Sequence, residues 1–190
     1  MLQNKRSRIL NLVSQIFIKA CLLSSLVSIN MALASSNTPS LTASQQNQQV
    51  KTQWLNYQHD NLVTHQKETL QRFMGKPSLL MFFEPDCPWC FKQGKAFNQL
   101  LIDCPDAINL VALASHGDKR ILRKAAWKMK LHFPAYLANN AMMNTLGSLP
   151  ATPITLILDD SGHLHSLIRG YVKLEQLLPQ LKKTFELTCR

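Results

Sequence analysis

The run Ser78-Leu79-Leu80-Met81-Phe82-Phe83 is followed, three residues later, by Cys87-Pro88-Trp89-Cys90. This succession constrains the fold more than any other stretch of the chain. Six residues with almost no polar side-chain atoms suit a strand buried on both faces, as sheets covered by helices require. Pro88 fits the first turn of a helix, where a missing N–H leaves nothing unpaired. Phe91, Gly94, Phe97 and Leu101 then recur at helical spacing. Two cysteines are therefore expected where a buried strand hands over to a helix, one turn apart and on one side.

The segments that follow alternate in kind. Residues 108–114 read as a second apolar strand. Residues 118–130 read as a two-faced helix, with Ile121, Leu122, Ala125, Ala126 and Met129 inward and the Lys and Arg side chains mostly outward. Residues 133–149 are less regular, with a short helix over 140–146. Residues 153–158 form a third strand, Asp160-Ser161-Gly162 a turn, and residues 163–169 pair back as a hairpin. A last helix spans 173–187 on the stripe Leu174, Leu177, Leu178, Leu181 and Phe185, with Pro179 expected to kink it. The order β-α-β-α-β-β-α predicts an α/β fold, a mixed central sheet with helices on both faces, over residues 77–190.

Upstream the signals weaken. Leu55, Leu62, Leu70 and Phe73 approximate one stripe, and Gly75 is a plausible stop, so residues 51–76 are expected to form a helical extension. Residues 35–50 are polar, uncharged and rich in Ser, Thr, Asn and Gln, which predicts a flexible leader. Residues 1–34 read as a cleaved secretory signal: a basic start through Lys19, an apolar stretch from Ala20 to Ile29, and a small-x-small site at Ala32-Leu33-Ala34. Lys19 leaves too short an apolar run for a membrane span. Four of the ten net positive charges lie in that segment. The remaining excess is modest, and no clustered basic and aromatic motif points to nucleic acid.

Beyond the signal, four cysteines remain: Cys87, Cys90, Cys104 and Cys189. An even number suits an exported protein in an oxidising compartment. The chemistry of Cys87-Pro88-Trp89-Cys90 follows from its place. Cys87 sits at the mouth of a helix, where unpaired N–H groups and the helix dipole favour a thiolate. Its pKa should fall below that of a free thiol, making it the nucleophile, and Cys90 would resolve the mixed disulfide. A zinc site is the competing reading. It needs four ligands, and no second Cys pair or paired His motif supplies them. Neither metal nor cofactor is expected. Glu84 could shuttle protons to Cys90, though a carboxylate at a strand end is more often simply solvated.

The residues Phe83-Glu84-Pro85-Asp86-Cys87-Pro88-Trp89-Cys90 and Ala151-Thr152-Pro153 through Gly170-Tyr171 resemble Dsb-type periplasmic disulfide isomerases. Single-domain isomerases of conjugative pilus assembly look similar. Residues 109–133 are more like the thioredoxin-like reductases of cytochrome c maturation. The resemblance covers residues 77–187 and implies a thioredoxin fold and thiol–disulfide exchange. It implies that Thr152 and Pro153 hold the substrate chain beside the cysteines, through a cis peptide bond, and that Trp89 shapes substrate fit. It also implies a periplasmic location, exported cysteine-containing proteins as substrates, and a membrane redox partner that recharges the pair. Residues 35–76 are too few for the dimerisation domain of classical isomerases, so a monomer is expected. Gln93 stands in the region where the cytochrome-maturation group carries a Glu. The fold's expected helix placement brings Cys104 and Cys189 to the same level, and a structural disulfide between them is the last expectation. The alternative function is a binding module or chaperone without redox turnover.

Overall fold

The computed structural model describes residues 53–147 and 149–190. The expected signal and leader lie outside the described residues. In chain order the elements are β1 (Gln58–Asn61), β2 (Lys67–Thr69), β3 (Ser78–Phe83), α1 (Pro88–Asp103), β4 (Asn109–Ala114), α2 (Lys119–Lys128), β5 (Ala135–Leu137), α3 (Asn140–Leu146), β6 (Ile154–Leu158), β7 (Leu164–Arg169) and α4 (Leu174–Phe185). The strands form one sheet in the order β2-β1-β5-β4-β3-β6-β7. Its β5-β4-β3 centre is parallel, and the remaining pairs are antiparallel.

Side chains of a strand alternate between faces, so a strand buried on both sides feeds two cores. Leu79, Met81 and Phe83 of β3 pack with Leu110, Ala112 and Ala114 of β4 on one face, under α1, α2 and α4. Leu80, Phe82, Val111 and Leu113 point the other way, toward α3 and the N-terminal residues Trp54, Leu55 and Leu70. All six residues of β3 are buried.

The helical extension expected over 51–76 does not form among its described residues. Its described part holds two short 3-10 turns, Trp54–Asn56 and Gln71–Phe73, flanking the β1–β2 hairpin. The stripe misled because its leucines serve different faces. Leu55 and Leu70 enter one core and Leu62 the other. The reversal is made by Asn61, whose side-chain oxygen accepts the N–H groups of Val63 and Thr64 at 2.8 and 3.0 Å. An Asn side chain bonding the next backbone groups in this way closes a turn that hydrophobic spacing does not register. The hairpin is fastened to the sheet by Arg72, Glu68 and Tyr136. Arg72 donates to the Tyr136 hydroxyl, which donates to Glu68 at 3.2 Å, while Arg72 and Glu68 form an ion pair. Burial pushes the Tyr136 phenol up to about 12.

Helix α2 needs a smaller correction. Asp118 caps it, accepting the N–H groups of Arg120 and Ile121. Leu122, Ala125 and Met129 face the core, but Ile121, expected inward, is 56% exposed. At 100° per residue Ile121 falls about 70° from the centre of that stripe, beyond Ala125 at its edge. Strand β5 was not foreseen. Its three residues are too few to show a period. Helix α4 runs through Pro179 without interruption. Arg190 donates its backbone N–H to Asp103 at 2.8 Å, and Cys104 and Cys189 are joined by a disulfide with Cα atoms 4.2 Å apart.

Candidate active site

The register of the sheet assembles the site. Phe82 of β3 lies opposite Ile154 of β6, so the end of one strand is level with the start of the other. Cys87 leaves the first and Thr152-Pro153 enters the second. The Thr152–Pro153 peptide bond is cis. Pro153 accepts the Gly170 N–H at 2.8 Å, tying it to the end of β7. A proline with no N–H to give to the ladder fits this position before the strand. The carbonyl oxygen of Thr152 then lies 3.4 Å from Cys87 Sγ.

Cys87 is the N-cap residue of α1, with Pro88 at the first helical position. The Cys90 N–H donates to Cys87 Sγ at 3.1 Å. A sulfur at a helix N-terminus with an amide pointing at it is set to carry negative charge. Cys87 and Cys90 are joined in a disulfide, with Cα atoms 5.2 Å apart. Cys90 is wholly buried, whereas Cys87 retains 8% exposure. Of the two sulfur-bearing residues, Cys87 is therefore the one that reaches the surface.

Trp89 stands between the cysteines and is 52% exposed. Its ring stacks on Tyr171 at 5.8 Å between centroids, and the Lys92 ammonium lies 4.0 Å from its ring centre. Cations over an indole face are held by the ring's quadrupole. Glu84 is half-buried and Asp86 exposed at the other side of Cys87. Among the described residues, no three His, Cys, Asp or Glu side chains group to hold a metal ion, and no helix is long and apolar enough to cross a membrane.

Gln93 and Tyr171, to which the sequence assigned no role in the site, lie beside it. Gln93, one turn after Cys90, is fully buried and accepts the Val172 N–H at 2.9 Å. Tyr171, beside Val172, supports Trp89. The available signal for Gln93 was a neutral amide on the inner arc of an otherwise apolar helix. Tyr171 stood only at the end of the resembling segment, and no local pattern tied it to Trp89, which lies across the fold.

No family model matches the chain, and no curated protein matches it. Solved structures do. The Mycobacterium tuberculosis protein DsbF, solved in mixed oxidised and reduced forms, superposes with a TM-score of 0.60 at 18% identity, covering 70% of this chain and 97% of that one. A secreted disulfide oxidoreductase of Mycobacterium tuberculosis, homologous to Escherichia coli DsbE, gives a TM-score of 0.57 at 18% identity over 68% and 96%. A thiol:disulfide interchange protein of the thioredoxin family from Chlorobium tepidum gives 0.58 at 14% identity over 70% and 95%. The chain has the thioredoxin fold. Its structural neighbours are thiol–disulfide oxidoreductases, in agreement with the resemblance carried by residues 77–187.

Proposed function

We propose that this protein is a thiol–disulfide oxidoreductase acting on exported proteins, with Cys87 as nucleophile and Cys90 as resolving thiol. The observation that carries the reading is the setting of Cys87: an N-cap sulfur receiving the Cys90 N–H, 3.4 Å from the Thr152 carbonyl. In the reducing direction the Cys87 thiolate attacks one sulfur of a substrate disulfide. That S–S bond breaks, and the departing sulfur leaves as a thiolate and takes a proton from water. The Cys90 thiolate then attacks Cys87 Sγ, which frees the second substrate thiol and closes the Cys87–Cys90 bond. Two electrons pass to the substrate, and a membrane redox partner restores them. Thr152 and Pro153 hold the substrate chain as an added strand beside the pair, and Trp89 lies under it. The resemblance favours reduction or isomerisation over oxidation, in the periplasm, by a monomer.

Reduction of hydroxyethyl disulfide by the reduced protein and by its Cys87→Ser variant tests the proposal. Reduction of one equivalent of hydroxyethyl disulfide by the first, with closure of the Cys87–Cys90 bond, and none by the second is expected. Equal behaviour of the two overturns it in favour of a binding module without redox turnover.

A further inference from the structure

The redox pair does not stand alone on its surface. Trp89 leads through Tyr171 into a groove of about 470 Å³ between the middle turns of α1 and the start of α4. Lys92, Lys95 and Lys173 wall it with three ammonium groups, and Tyr171 and Leu174 supply apolar wall. Glu175 is the one carboxylate in the lining, and it is already engaged by Lys173 at 3.2 Å. Lys92 belongs to both places, since its ammonium sits over Trp89. The Gln93–Val172 hydrogen bond holds the Tyr171 wall to the helix that carries the cysteines.

We infer that this groove is a specificity subsite for acidic polypeptide: it takes Asp and Glu side chains of the substrate segment adjoining the cysteine under attack. The inference rests on the oxidoreductase reading and adds the class of substrate. The physical basis is charge complementarity beside a fixed reaction point. Lys92 and Lys95 lie one turn apart on the exposed surface of α1 and pair with no carboxylate among the described residues, and the Trp89 ring under the Lys92 ammonium stands between them and the sulfur. A substrate chain held at Thr152 and crossing Trp89 brings its next residues over them. Exposed charge pairs of this kind steer encounter and choice of partner more than they add affinity. They are also screened by salt.

The test uses two decapeptides that differ only beside a central cysteine, one with three Glu and one with three Lys. Each cysteine is blocked as a mixed disulfide with 2-mercaptoethanol. The reduced protein attacks the peptide sulfur, forming the Cys87–peptide disulfide and releasing 2-mercaptoethanol. Cys90 then releases the peptide thiol. The acidic peptide should react about fivefold to tenfold faster at low salt, the gain expected of two or three exposed pairs. That ratio should approach one in the Lys95→Glu/Lys173→Glu variant and at high salt. The Lys124→Glu/Lys128→Glu variant makes the same charge change on α2, across the redox loop, and should keep the ratio. Equal rates for the two peptides overturn the inference, as does loss of the ratio in both variants, which would mark a net-charge effect. Serine versions of both peptides, titrated against the oxidised protein by tryptophan fluorescence, separate the two readings. If hydroxyethyl disulfide is not consumed while the acidic serine peptide binds in the same charge-dependent way, the oxidoreductase reading fails and the groove stands. If neither serine peptide binds and the reactive peptides show no preference, the groove fails while the oxidoreductase reading stands on hydroxyethyl disulfide.

Discussion

The side-chain oxygen of Gln93 accepts the backbone N–H of Val172 at 2.9 Å, so α1 and the segment leaving β7 are joined one turn below Cys90. The bond fixes where Tyr171 can stand, and Tyr171 fixes Trp89. Replacing Gln93 by Met keeps the volume and leaves the Val172 N–H without its acceptor. A loss of about 1 kcal/mol is expected, because the Val172 N–H is stranded while the buried Gln93 Nε2, which has no partner, is removed with the amide. Urea unfolding of the oxidised variant measures it. An unshifted midpoint would show that the bond carries no stability.

Cys87 should be the more reactive thiol of the reduced protein. It caps α1, accepts the Cys90 N–H and reaches the surface, whereas Cys90 is fully buried. Its titration should fall below the ~8.5 of a free thiol. Iodoacetamide labelling across pH, read by peptide mass, should find Cys87 modified first. Preferential labelling of Cys90 contradicts the helix-mouth geometry.

The Cys104–Cys189 disulfide spans 85 residues and pins the chain's end to the end of α1. Closing so long a loop restricts the unfolded chain, and its removal should cost about 2–4 kcal/mol. The Cys104→Ser/Cys189→Ser variant, unfolded with the Cys87–Cys90 pair kept oxidised, gives the number. Reaction with Cys87 should persist, because the bridge lies at the far end of α1.

His59 supplies a pH dependence independent of the cysteines. It is buried on β1, and burial lowers its pKa from 6.5 to about 4, with Asp60 opposing the shift. The Asn139 N–H donates to its Nδ1, which suits the neutral ring. Between pH 6.5 and 4 the unfolded chain binds a proton that the folded chain refuses. Stability is therefore full above pH 6.5 and falls as pH drops toward 4, by about 3 kcal/mol at most. Chemical denaturation at pH 7, 5.5 and 4 should show this decline, with a flatter one in His59→Gln. A variant as steep as the parent would assign the effect elsewhere.

The order of the chain's principal strands and helices was legible because each carries its own period. Six consecutive apolar residues at 78–83 can be satisfied only by burial on two faces. The stripe Leu174, Leu177, Leu181 can be satisfied only by a helix against a core. The Cys-x-x-Cys spacing put two sulfurs one helical turn apart wherever that helix stood. These are local properties, set by backbone geometry and by which side chains avoid water.

Tertiary structure decided what depends on surfaces meeting. The leucines of 55–70 looked helical in spacing, yet Asn61 turned that chain into a hairpin whose leucines serve two cores. Ile121 was apolar enough for the core, and the phase of α2 left it outside. The approach of Thr152 to Cys87, the hold of Gln93 on Val172 and the stack of Trp89 on Tyr171 join residues 65, 79 and 82 positions apart. No periodicity encodes such contacts. They follow from sheet register, which aligns Phe82 with Ile154 and so brings two otherwise unremarkable loops to the same pair of sulfurs.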